Sequence, residues 1–159
     1  MARDGGQSPR RGPGTVQRVS EGMNVQRWPG ERLGLPEHGR GAVAGWGRRM
    51  LALLVDWFGS MMVVGAFAGT DLWAGRGGVQ WAPLAVFAAE RWVLTSLAGG
   101  SAGQLLTRIR VVRTDGGSLG PGRALLRTVL VCLVIPPVVY NPDQRGLHDL
   151  AAGSVAVRL

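Results

Sequence analysis

Two apolar runs of bilayer length dominate the hydropathy pattern of this chain, and both contain charged residues. Residues 50–67 contain Asp56, and residues 79–100 contain Glu90 and Arg91 near the middle of the run. A helix needs about 20 mainly apolar residues to cross the hydrocarbon core, where ionisable groups are costly. The pattern therefore predicts an all-α membrane protein with two transmembrane helices, each with charge inside the bilayer.

A third apolar segment, residues 128–140, is shorter. Its 13 residues would form a helix of ~20 Å, whereas the hydrocarbon core is ~30 Å thick. Pro136 and Pro137 would also break a helix at this point. We expect a short re-entrant helix that returns the C-terminus to the cytoplasm. The alternative is a tilted third spanning helix that includes Leu125 and Leu126 and leaves the C-terminus outside.

Alternating apolar and polar positions predict a small cytoplasmic β element beside the helices. Residues 109–113 precede an Asp-Gly-Gly turn, and residues 154–158 alternate in the same way near the end of the chain. An isolated strand is marginal in water, so we expect these two strands to pair with each other. Pairing requires both strands on one side of the membrane, which favours the re-entrant alternative for residues 128–140.

The distribution of basic charge indicates the orientation in the membrane. The formal net charge is +8, all 18 basic residues are arginine, and nine of them lie in residues 1–49. Residues 70–78 have no net charge, whereas residues 100–122 are basic. Because basic flanks stay in the cytoplasm, we expect a cytoplasmic N-terminus and a short external loop. The arginines do not form one soluble basic face, so we expect no nucleic-acid partner.

Composition divides the chain into a tail and a membrane domain. Residues 1–40 are rich in Gly, Pro and Arg and lack apolar periodicity. Such a segment buries too little apolar surface to offset its conformational entropy, which predicts a disordered cytoplasmic tail. We assign residues 41–159 to the transmembrane domain.

Four charged residues are predicted to lie in one layer of the inner leaflet. Counting 1.5 Å per helical residue from the cytoplasmic boundary puts Asp56, Glu90, Arg91 and Arg127 at similar depths, ~6 to ~12 Å. Arg49 and Asp56 are seven residues apart and therefore lie on nearly one face of the first helix. Unpaired charges here would each cost several kcal/mol, so we expect mutual pairing, with Asp56 bound to Arg91 or to Arg127. Such a cluster either holds the helices in register or forms a polar pathway or a partner site.

The candidate chemistry elsewhere is sparse. Cys132 is the only cysteine, which excludes an internal disulfide and a cysteine zinc site. His148 and Asp149, even with Asp143, supply too few ligands for a metal site. We therefore expect no catalytic residue, no metal and no cofactor, and a protein that is not an enzyme.

Three ordered blocks of the sequence resemble the RDD family of bacterial membrane proteins. The first is GRRMLALLVDWF, with Arg49, Ala52 and Asp56 at the spacing of the family's opening helix, and the second is the glycine-rich basic stretch at residues 99–128. The third is RGLHDLAAGSVAVR, with Asp149 as the second signature aspartate. The resemblance spans about residues 42–159 and implies a small multi-pass protein of the bacterial cytoplasmic membrane.

The resemblance does not specify an activity, because the family name describes residues. Gln104 stands where the family often has lysine, and the third apolar segment is shorter than in many members. Some members are linked to transport or ion exchange. We expect a non-enzymatic accessory or interaction subunit that contacts the lipid bilayer and other membrane protein subunits, or a second copy of itself. The alternative is a small oligomeric transporter or proton/cation exchanger with Asp56 and Glu90 as ion sites.

Overall fold

The computed structural model describes residues 26–133, 141 and 143–159. The helices and strands in chain order are α1 (Trp46–Ala68), α2 (Asp71–Ala74), α3 (Ala82–Ala98), α4 (Ala102–Leu106), β1 (Ile109–Arg113), α5 (Pro121–Cys132), α6 (Leu147–Ala151) and β2 (Ser154–Arg158). Two short 3-10 helices, Glu31–Leu33 and Arg76–Trp81, precede α1 and α3. The predicted class, mainly helical with a small β element, is confirmed.

The long helix α1 has its polar side chains inside and its apolar side chains outside. Arg49, Asp56 and Ser60 are on its buried face, whereas Phe58 and Met62 are exposed. Among the described residues, α1 is the one helix long and apolar enough to cross a membrane, and only 22% of its apolar window is buried. The core helix of a soluble protein has the opposite polarity, so α1 suits a lipid environment.

The second apolar run forms α3, which packs against α1 and is shorter than predicted. The helix begins at Ala82 rather than near residue 79, with a proline in its first turn, where the missing N–H costs little. It ends at Gly99, whose positive φ of 75° reverses the chain. Trp57 of α1 and Phe87 of α3 contact edge to face, with ring centroids 5.9 Å apart. The 17 residues of α3 correspond to a helix of ~25 Å.

The third helix begins earlier than its apolar segment. The helix α5 starts at Pro121 and ends at Cys132, and it buries Ala124, Arg127 and Val131 on one face. Residues 134–140 and 142 lie outside the described residues. The choice between a re-entrant and a spanning third segment therefore remains a prediction.

The predicted strand pairing is confirmed. The strands β1 and β2 are antiparallel, with Ile109 opposite Arg158 and Arg113 opposite Ser154. On the other edge of β2, Val43 forms an isolated bridge to Val157, which was not predicted. The small sheet is thus attached directly to the segment that leads into α1.

Residues 26–40 differ from the expected disordered tail. Leu33 and Leu35 pack against a buried cluster that contains Val43 and Val157. The indole N–H of Trp28 also donates to the carbonyl of Leu35 at 3.0 Å. A few apolar side chains within a Gly- and Pro-rich stretch are enough to cover one face of the sheet. Residues 1–25 of the predicted tail lie outside the described residues.

Candidate functional site

The site begins with two charged residues on the inner face of α1. Arg49 and Asp56 lie two turns apart, with Ala52 between them, and all three are buried. The predicted alignment of Arg49 and Asp56 on one face is therefore present. The two side chains do not bind each other; each one is the start of a separate ion pair with another element.

The first centre is formed around the Asp56 carboxylate. One oxygen, Oδ2, accepts hydrogen bonds from Nη1 of Arg91 and from Oγ of Ser101, both at 2.6 Å. The other oxygen, Oδ1, accepts from the backbone N–H of Gly103 at 2.5 Å. Arg91 also lies over the Phe87 ring, 5.2 Å from its centroid. Asp56 thus joins α1 to α3 and to the start of α4.

The short helix α4 is built to present these donors. Ser101 and Gln104 form a capping box, in which the Gln104 side chain accepts the Ser101 N–H at 3.1 Å. Gly103 approaches α1 so closely that an added Cβ would lie 2.2 Å from the Ala52 carbonyl oxygen and 2.7 Å from Asp56 Oδ1. Only glycine fits at this position.

The second centre is formed around Asp149 at the start of α6. Arg49 Nη1 donates to Oδ2 and Arg127 Nε donates to Oδ1, each at 2.8 Å. The Ser154 hydroxyl lies 3.3 Å from Oδ1, and His148 Nε2 lies 3.5 Å from the same atom. The centre therefore links α1, α5, α6 and β2 through one carboxylate.

The electrostatics of this centre favour an ionised aspartate. Complete burial raises the pKa of Asp149, but Arg127, His148 and Arg49 outweigh this effect and hold the pKa well below its usual range. The carboxylate therefore stays charged and keeps its arginines. Arg49 is fixed further by its Nε, which donates to the Ala44 carbonyl at 2.9 Å, at the base of the sheet.

The predicted four-residue cluster is divided between different partners. Asp56 binds Arg91, which was one of its two predicted partners. Arg127, the other one, binds Asp149 instead. Glu90 is half-buried, and its Oε1 accepts the Ala102 N–H at 2.6 Å, at the start of α4.

Two contributions were not predicted: the donors from α4 and the pairing of Asp149 with the arginines. The predicted strand pairing could have indicated the contact between Asp149 and Arg49. Asp149 precedes β2 by five residues, and the sheet is attached beside the start of α1.

The arrangement holds charges in place. Within the described part of the chain, no group of three or more His, Cys, Asp or Glu side chains could hold a metal ion. Both aspartates instead accept hydrogen bonds from arginines and from fixed donors of the fold, and they connect elements that are distant in sequence.

Comparison with known proteins gives a family match, which covers the aspartates and arginines of both centres. No curated protein and no solved structure matches the chain. The sequence model of the RDD family matches residues 43–153, which include Arg49, Ala52, Asp56 and Asp149. The family and the outward-facing apolar side chains of α1 together indicate a membrane protein. The chain belongs to the RDD family.

Proposed function

We propose that this protein is a non-enzymatic, multi-pass subunit of the bacterial cytoplasmic membrane, which works through contacts with other membrane proteins or with its own copies. The observation that carries the proposal is that both buried aspartates are held by several fixed donors. Asp56 accepts from three donors, and Asp149 accepts from two arginines. An acid that carries protons or cations must release its partners in each cycle, whereas an acid held in this way suits a rigid scaffold.

The outer surface supports the same role. Large apolar side chains of α1, including Leu54, Phe58, Met62 and Phe67, are exposed. In a bilayer such faces contact lipid tails or neighbouring helices, and helix association there depends on packing. A rigid core with apolar outer faces is what an accessory subunit needs.

The alternative, a small oligomeric proton or cation exchanger, is favoured by one feature, Glu90. Its Oε2 is buried and has no hydrogen-bond partner within the described residues. A second copy of the chain would have to enclose the pathway, because two or three short helices leave no room for one. Asp56, the other acid expected in that role, already accepts three hydrogen bonds from fixed donors.

The stoichiometry of the membrane complex distinguishes the two functions. Native mass spectrometry after gentle detergent extraction should show this chain with a different membrane protein, or as small assemblies without a closed ring. Vesicles containing the purified chain should show no proton or cation flux, and Glu90→Gln should leave this baseline unchanged. A closed homo-oligomer with flux that Glu90→Gln abolishes would contradict the accessory function.

The sheet and the basic flanks support one topology. Val43, β1 and β2 belong to one sheet, which favours placing all three on the same side of the membrane. We expect α1 and α3 to span the membrane, with both residue 1 and residue 159 in the cytoplasm. Fluorescent-protein fusions at either end should fluoresce, and phosphatase fusions there should be inactive. An active phosphatase at the C-terminus would contradict this topology.

A further inference from the structure

A small cavity lies between the two aspartate centres. Its volume is about 20 Å³, and its polar lining consists of Arg49, Arg91, Gln104, Arg127 and His148. A space of this size holds one water molecule or one monatomic ion. The carboxylates of the two centres do not line it, so the cavity is surrounded mainly by cationic and neutral donors.

Three buried arginines line the cavity, and no carboxylate of the described residues does. Arg49, Arg91 and Arg127 are all buried, and the carboxylates bonded to them are those of Asp56 and Asp149. The three guanidinium groups are hydrogen-bonded to two carboxylates, and Glu90 acts on Arg91 only through space. Glu90 is adjacent to Arg91 in the chain, but its carboxylate accepts the amide of Ala102 and does not line the cavity.

Unused donors accompany these arginines. Arg91 is 2% exposed, and its Nε has no hydrogen-bond partner within the described residues. Gln104 uses its oxygen to accept the Ser101 N–H, which leaves its NH₂ group as a donor. A buried guanidinium N–H without an acceptor is costly, and an anion is the strongest acceptor that it could gain.

We propose that this cavity binds one monatomic anion of the size of chloride. Arg49, Arg91, Arg127 and the Gln104 amide would donate to the ion. A neutral water would add no negative charge beside the three guanidinium groups, and the small volume favours a monatomic anion over phosphate or sulfate. The ion would join α1, α3, α4 and α5 at the point where the two aspartate centres meet, whatever partner the protein has.

Thermal unfolding of the full chain in detergent tests this site. Chloride is titrated against gluconate at constant ionic strength, with bromide and sulfate as further probes. A ligand that binds only the folded state raises the unfolding midpoint with saturation. We expect chloride and bromide to raise the unfolding midpoint by about 5 °C with saturation, and sulfate to cause no saturating increase. Equal midpoints in chloride and gluconate would overturn the proposal, without bearing on the accessory function.

One variant should replace the ion with a built-in charge. Gln104→Glu retains the oxygen that accepts the Ser101 N–H and adds a carboxylate at the cavity. In gluconate it should melt no lower than the parent protein in chloride, and it should no longer respond to chloride. Gln80→Glu adds the same charge at an exposed position and should keep the full response. A chloride response that persists in Gln104→Glu, or that is lost in Gln80→Glu, would contradict the site.

Discussion

Replacing Asp149 with asparagine should reduce the stability of this protein severely. The substitution keeps the shape of the side chain but leaves Arg49 and Arg127 buried with no counter-ion at this centre. Breaking a buried ion pair in this way typically costs about 3–5 kcal/mol. We expect a much lower unfolding midpoint in detergent and less protein in the membrane fraction.

The matched control is Asp115→Asn. Asp115 pairs with Arg113, but Asp115 is exposed and Arg113 is partly exposed. Exposed ion pairs contribute little to stability, so this variant should melt close to the parent protein. Similar midpoints for Asp149→Asn and Asp115→Asn would show that the Asp149 centre does not hold the fold together.

The pKa of Asp149 also predicts the direction of the pH dependence. Because its folded-state pKa lies below the usual value, the stabilisation from this group is complete above about pH 4, the ordinary pKa of aspartate, and is lost as the pH falls further. Stability measured from pH 6 to pH 3 should therefore fall more steeply in the parent protein than in Asp149→Asn. Parallel curves would contradict the shift.

Replacing Gly103 with alanine should have the second large effect. The new methyl group would lie 2.2 Å from the Ala52 carbonyl oxygen, so α4 would have to move away from α1. That movement also breaks the hydrogen bond from the Gly103 N–H to Asp56. Overpacking and the loss of a charge-assisted hydrogen bond together should cost roughly 3 kcal/mol, measured as a lower unfolding midpoint.

The same substitution at Gly59 provides the control. Gly59 lies inside α1, and an added Cβ there would meet no atom within 4 Å. Alanine is also the better helix former, so Gly59→Ala should be neutral or slightly stabilising. If Gly103→Ala melts like Gly59→Ala, the close approach of α4 to α1 is not what positions the Asp56 donors.

The local hydrophobic pattern predicted the helix that forms from one segment of the chain and the two strands that share the same alternation. The apolar run became α1, and the alternation became β1 and β2. The later start of α3 depends on Pro83, which is favoured in the first turn of a helix and so moves the boundary. In residues 26–40, average composition concealed Leu33 and Leu35, which pack on the sheet.

The sequence predicted which charged residues belong to the site, but not which of them pair with each other. Counting residues along a helix gives the depth of a charge, and depth grouped Asp56 with Arg91 and Arg127. It does not show which neighbour each helix face meets, and so Asp56 had two possible partners. Gly103 contributes through its backbone N–H, which leaves no trace in a pattern of charged side chains.

The central claim is that the aspartate–arginine pairs hold the helices together, and Asp56 tests it most directly. Unfolding midpoints are measured for Asp56→Asn, Arg91→Gln and the double variant, with proton and cation flux measured in vesicles for each. Each single variant should melt far below the parent protein, because one charge remains buried alone, and the double variant should recover much of the loss. Normal melting of Asp56→Asn, together with the loss of a flux that the parent protein shows, would contradict the claim.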